Sequence, residues 1–323
     1  MGFPRFRKKG RGRESVRFTT GAIRADDQSH VVRPRIGRVR THEPTTALRE
    51  RIEAGTACIL SATVSCEGGR WFVSFTCEVE RQIGQPARPH AVAGVDAGLA
   101  HLAVLSTGEK VPNPRPLRRA QRQIARLNRE LARRQPGSRN RSETRRRLGL
   151  AHARVARIRR DAMHKLTRRL ASTYGTVVVE RLHVAGMVRH RRLAQAVHDA
   201  ALAELRRQVA YKGVGSGAKL AEAPPFYPRS TTGSRCRTVQ AALPLWQRVF
   251  RCDGCGLEID RDENAARNLA ALVAAVAGSG PETKNARGED VRPGTSGQTP
   301  KKREAGTGKP DKTGAADPQG SAV

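Results

Sequence analysis

The chain has 323 residues, and its 61 Lys and Arg against 29 Asp and Glu leave a formal charge of +32. A surface this basic repels itself unless a polyanion neutralises it, and nucleic acid does so through counterion release from its phosphates. No apolar run is long enough to span a bilayer, the opening MGFPRFRKKGRGRE lacks a signal-peptide core, and Phe6 spoils a myristoylation signal; a membrane partner is not expected, and the chain reads as cytoplasmic, nucleoid-associated when bound to DNA.

Residues 1–90 read as β structure. TACILSATVSCEGGRWFVSFTCEVE is two apolar runs around Gly68-Gly69, a hairpin signal, and SVRFTTGAIR and HVVRPRIGRVRT are shorter basic strands upstream. A small barrel or curved sheet with arginines on one side is expected, with Cys58, Cys66 and Cys77 as buried small apolar residues. HAVAGVDAGLAHLAVLSTGE follows as a strand, a tight turn at Asp96-Ala97-Gly98 and a second strand. From 115 to 170 the chain is Arg-rich and helix-forming, broken by QPGSRNRS. Ile124, Leu127 and Leu131, then Val155, Ile158, Leu166 and Leu170, recur at helical spacing, so a helical hairpin is expected. It holds twenty Lys and Arg against three acids, a density beyond what solubility requires, which favours phosphate contacts.

YGTVVVERL reads as a buried strand ending in Glu180, and 195–211 as a helix. PPFYPRSTTGSRC is an irregular entry to the last cysteines. A helix from Glu263 to about Val276 closes the folded part, with Asp262 at its N-cap. The Gly-, Pro- and Lys-rich segment 278–323 is expected to be disordered, and no internal repeat is found.

Asp96, Glu180 and Asp262 are each weak signals alone, since capping and strand-end acids are common. Converging at one sheet edge, three carboxylates suit a pair of Mg²⁺ ions, which hydrolyse phosphodiesters from about 4 Å apart. Cys252 and Cys255 form half of a zinc clasp in CDGCG. Cys236 offers a third thiolate, Gly233 stands where a fourth would fall, and no His follows His198. Two readings stay open: three unrelated thiols, or a degraded Zn²⁺ site whose fourth position is water, Asp253, Glu258 or nothing.

The segments GVDAGLAHLAVLSTG, VVVERL, FYPRSTTGSRC, LPLWQRVFRCDGCG and DRDENAARN together resemble, in order, the TnpB family of OrfB-type transposon-encoded proteins. The resemblance runs from about residue 2 to 293. It implies an RNA-guided DNA endonuclease with an α/β RuvC-like core of RNase H type, whose partners are a guide RNA from the transposon end and target DNA. Its catalytic, Mg²⁺-binding carboxylates match Asp96, Glu180 and Asp262, with Asp260 the runner-up for the third. It implies a partial wedge-like β domain at 1–90, a RuvC-like core at 91–220 with the basic hairpin at 115–170, a zinc ribbon at 221–259 and a last RuvC-like segment at 260–277. Three departures stand out. The chain begins after the family's first barrel strand and helical bundle. Gly233 and Arg237 replace a ribbon cysteine and glycine, and YKGVGSGAKL lacks the aromatic pair usual before the ribbon. The alternative to an active nuclease is an impaired or decayed relative that binds nucleic acid without cutting.

Overall fold

The computed structural model describes residues 14–278 apart from 20, 21, 81, 225, 226, 242 and 245; the segment beyond 278, expected to be disordered, lies outside the described residues. The N-terminal part contains β1 (Ser15–Thr19), β2 (Arg24–Ala25), β3 (His30–Arg33), β4 (Gly37–Arg40), α1 (Thr46–Glu53), β5 (Ala57–Glu67) and β6 (Arg70–Val79). The β5–β6 hairpin turns on Gly68 and Gly69, with φ of +57° and +73°. A tight two-residue turn of this hand needs positive φ at both central positions, hence the glycine pair.

A small barrel or curved sheet was the expectation. The strands form two three-stranded sheets, β1-β5-β6 and β2-β3-β4. They bury Ile23, Val31, Ala62 and Val64 between them, with Phe18, Val73 and Phe75 packed alongside. The three cysteines here are not buried: Cys58 is exposed, and Cys66 and Cys77 are half-buried. Register explains the exposure of Cys58, because a bulge between Ile59 and Ser61 resets the alternation and the inward positions after it go to Ala62 and Val64.

The second part is a five-stranded sheet, built from β7 (Arg88–Asp96), β8 (His101–Leu105) and β9 (Lys110–Pro112) as an antiparallel meander. The helices α2 (Pro116–Arg133) and α3 (Arg139–Thr173) follow, then β10 (Tyr174–Glu180), α4 (Val184–Arg189), α5 (Ala194–Ala200), α6 (Leu202–Ser216) and β11 (Lys219–Ala223). The order is β11-β10-β7-β8-β9, with β10 parallel to both β7 and β11. Val177 and Val179 of β10 join a cluster with Met163, Leu166, Leu170, Leu205 and Val209 on one face. Val178 faces the other way, against Leu269. A strand covered on both faces carries a continuous apolar run, which is why YGTVVVE does not alternate.

In the helical hairpin, Ile124 and Leu127 of α2 pack on Ala151 and Val155 of α3, while Ile158 remains 40% exposed. Residues 195–211 are not one helix: Ala201 adopts φ 51°, ψ 42° and separates α5 from α6. The buried Asp199 of α5 accepts hydrogen bonds from the Leu117 and Arg118 amides (2.9 and 3.2 Å), capping the start of α2 from about 80 residues away. The chain ends with a small sheet of β12 (Val249–Arg251) and β13 (Glu258–Asp260), then α7 (Arg261–Gly278). Among the described residues, no helix is long and apolar enough to cross a membrane.

Candidate active site and metal centre

Asp96 and Glu180 end adjacent parallel strands, with Val95 and Val179 in register just before them. Asp262 reaches the same edge on α7, because that helix lies directly on β7. The approach is close at Gly94, where a Cβ would stand 1.9 Å from the Ala266 carbonyl oxygen and 2.5 Å from the Ala270 nitrogen. Only glycine allows this contact. Ala265, Ala266 and Leu269 are buried against the sheet, and Asp262 shares their helical face.

Asp262 is not the N-cap. Asp260 is: its Oδ1 accepts from the Asp262 and Glu263 amides at 2.9 and 3.1 Å, and its Oδ2 pairs with Lys110 Nζ at 2.6 Å. Burial alone would raise the Asp260 pKa, but Lys110 and the two amides hold it below the usual range. Both oxygens of Asp260 are thus engaged in ending β13 and starting α7, and Asp262 is the acid whose charge Asp96 feels. Two acids in one turn look alike as caps from sequence; the β13 hydrogen bonding selects the earlier one.

A fourth residue, which lies within the FYPRSTTGSRC segment but has no role assigned from sequence, completes the edge. Arg229 Nε donates to Asp96 Oδ1 at 2.9 Å and its Nη1 to Glu180 Oε1 at 2.5 Å. Its backbone carbonyl accepts from Asn268 Nδ2 at 2.8 Å. Asn264 and Asn268 are fully buried and also donate to the Thr232 carbonyl, at 2.8 and 2.6 Å, so α7 anchors the loop that carries Arg229. The signal available in sequence was an Asn pair at i, i+4 in an Ala-rich helix, where Asn is otherwise unfavourable.

Burial pushes the Asp96 carboxyl up to about 6, against the pull of Arg229, and the charges of Asp262 and Glu180 add to the rise. Glu180 Oε2 is buried with no hydrogen-bond partner among the described residues. Arg261 Nε lies 3.5 Å from Asp262 Oδ1, Asp96 and Glu180 share the single charge of Arg229, and the edge retains an unsatisfied hard oxygen donor. Such a donor set fits Mg²⁺.

The ribbon brings Cys236, Cys252 and Cys255 together, their sulfurs all within 4.8 Å of one another. No carboxylate or His joins that group among the described residues, and Glu258 pairs instead with Arg251. Two knuckles repeat the same turn: the Gly256 amide bonds to the Cys252 carbonyl, and the Arg237 amide to the Gly233 carbonyl, both at 2.9 Å. Gly233 thus holds the place equivalent to Cys252, and Arg237 that of Gly256. A Cβ on Gly233 would lie 2.9 Å from Cys252 Sγ and 3.3 Å from Cys236 Sγ, at the open corner of the cluster. Arg237 takes the left-handed φ of 63° that Gly256 takes at 67°, a strain of about 1–2 kcal/mol for a residue with a Cβ. Hydrogen bonds from Thr238 lower the Cys236 pKa to about 6. Three convergent thiols, one of them acidic, fit a zinc ion held at three corners.

Away from these centres, Arg118, Arg119, Arg122, Arg126 and Arg129 are exposed along α2. A groove of about 850 Å³ in the N-terminal part is lined by Arg33, Arg40, Arg70, Trp71 and Phe72 among others.

A family profile described as "Probable transposase" (OrfB_IS605) matches residues 74–191, and one described as "Cas12f1-like, TNB domain" matches 203–269. A Mycobacterium tuberculosis protein named "Putative RNA-guided DNA endonuclease" is 41% identical over 283 residues, covering 84% of this chain and 61% of its own. Proteins of that name from Streptomyces pristinaespiralis and Escherichia coli are 37% and 30% identical, each covering 88% of this chain and respectively 70% and 72% of their own. The chain therefore spans about three fifths of the length of the mycobacterial relative. In fold it is similar to Cas12f1, solved by cryo-electron microscopy with sgRNA and target DNA, at a TM-score of 0.51 and 15% identity, covering 80% of this chain and 59% of that one.

Proposed function

The chain belongs to the OrfB, or TnpB-type, family of RNA-guided DNA endonucleases, and we propose that it cleaves DNA at a carboxylate site formed by Asp96, Glu180 and Asp262. The observation that carries this reading is the edge itself. Two acids end adjacent parallel strands, a third approaches on α7, and Glu180 Oε2 is buried without a partner among the described residues. Asp96, Glu180 and Asp262 would together hold Mg²⁺. Bound there, the ions would supply charge to the attacking and departing oxygens of a phosphodiester. The protein's own work is to fix the three carboxylates on a rigid sheet and helix, to exclude water from β7 and β10, and to guide a polyanion in. The arginines of α2 and of the 14–90 segment suit phosphate contacts, and the groove with Trp71 and Phe72 suits RNA. In this reading 14–90 is wedge-like and supports a transposon-end guide RNA, and target DNA is the substrate. Cys236, Cys252 and Cys255 hold a structural Zn²⁺ that steadies the ribbon just ahead of Asp262.

A second reading, binding without cleavage, draws on Arg229 lying across two of the carboxylates and on the missing fourth thiol. The test is Mg²⁺-dependent cleavage by the purified chain, supplied with RNA transcribed from its own locus. Asp96→Asn should retain nucleic-acid binding and lose cleavage by orders of magnitude. Cleavage by Asp96→Asn at the parent rate would overturn the site. Loss in Asp260→Ala with activity kept in Asp262→Ala would move the third ligand.

A further inference from the structure

We propose that Arg229 is a resident counter-ion that a divalent metal must displace, so that the chain carries its own brake on metal entry. This rests on reading Asp96, Glu180 and Asp262 as metal ligands. The guanidinium does not lie on the site by chance of surface mobility. Its side chain is 21% exposed, and its two donors engage carboxylates from two different strands. Its backbone is fixed by Asn268, and the rest of its loop by Asn264 and Asn268 through Thr232. One helix, α7, therefore delivers both Asp262 and the cation that neutralises its neighbours.

The competition is geometric. A metal held by Asp96 and Glu180 together would compete for Asp96 Oδ1 and Glu180 Oε1, the gap that Arg229 spans with Nε on one and Nη1 on the other. A guanidinium only donates hydrogen bonds, so it cannot itself become a ligand and must leave the gap. It carries one positive charge against Asp96 and Glu180, while Arg261 pairs with Asp262 at 3.5 Å. The site therefore remains attractive to a divalent ion, as the buried, unpartnered Glu180 Oε2 also indicates. If the arm is withdrawn in only a fraction of molecules, the apparent metal dissociation constant rises by the inverse of that fraction. An arm held in place about nine-tenths of the time or more weakens metal binding about tenfold or more. A solvated arm at the rim then becomes a phosphate contact, which links entry of nucleic acid to release of the brake.

The experiment is a Mn²⁺ titration of the full chain, read by the electron paramagnetic resonance of free Mn²⁺ and by thermal unfolding with and without the ion. Arg229→Gln should bind Mn²⁺ about tenfold more tightly than the parent. Without added ion it should melt lower, because the buried Asp96 and half-buried Glu180 carboxylates lose their partner, and Mn²⁺ should raise its melting temperature more than the parent's. Arg229→Lys keeps a charge but reaches one carboxylate, so it should fall between, and it decides the matter should Arg229→Gln not fold. Asp96→Asn marks which bound Mn²⁺ belongs to this site. Asp96-dependent binding of equal or lower affinity in the Arg229 variants overturns the counter-ion role and leaves the nuclease reading standing. Absence of Asp96-dependent binding in parent and variants alike overturns both.

Discussion

Replacing Gly94 by Ala adds one methyl group where β7 and α7 touch. Its Cβ would fall 1.9 Å from the Ala266 oxygen, whereas a carbon–oxygen contact settles at about 3.3–3.6 Å. The helix must therefore retreat by about 1.5 Å, and the second clash, 2.5 Å from the Ala270 nitrogen, blocks relief by a small rotation. Both obstacles are helix backbone, so no side chain can swing aside. Overpacking of this kind costs about 1–3 kcal/mol, which lowers the melting temperature by about 3–10 °C in a domain of this size. The functional effect should exceed the thermal one. Asp262 rides on the first turn of the helix that must move, and a displacement of about 1 Å at a reacting centre costs about a hundredfold in rate. Thermal unfolding measures the first quantity, and Mn²⁺ affinity with Mg²⁺-dependent cleavage the second. An unchanged melting temperature together with unchanged Mn²⁺ affinity would refute the claim that this contact positions Asp262.

Three further outcomes follow from the same geometry. Gly233→Cys places a fourth thiol at the open corner of the cysteine cluster, and paired with Arg237→Gly it also relieves a left-handed arginine; zinc should bind more tightly and residues 230–260 should resist proteolysis, whereas equal rates of zinc loss to a strong chelator in parent and variant would contradict it. Asp199→Ala removes the acceptor of two α2 amides and should cost about 1–3 kcal/mol in thermal unfolding, with Asp199→Asn costing less; equal stability of both with the parent would show that this non-local cap is immaterial. Nucleic-acid affinity should fall steeply with salt, and changing Arg122, Arg126 and Arg129 to Gln should reduce the log–log slope by about 0.9 for each duplex phosphate that is no longer neutralised, an unaltered slope placing the phosphates on other arginines.

The local pattern of residues decides where the elements of this chain lie. Gly68-Gly69 marks a hairpin because both residues take positive φ without steric cost, VVVE reads as a doubly covered strand, and the QPGS break splits the basic segment into two helices. The Cys252–Cys255 spacing and the acids at strand ends are legible for the same reason: the chemistry sits within a few residues. What only the tertiary structure decides depends on contacts far apart in the chain. Asp260 rather than Asp262 caps α7 because β13 and Lys110 arrive there. The helix expected at 195–211 breaks at Ala201, where local propensity favours continuity and Asp199 is engaged by α2. Arg229 lies in the FYPRSTTGSRC segment, but one arginine among so many discloses no partner. Its position between Asp96 and Glu180, 133 and 49 residues earlier in the chain, exists only because α7 holds its loop over the sheet edge. Periodicity and spacing record short-range preferences; the partner of a charge is set by where the whole chain folds.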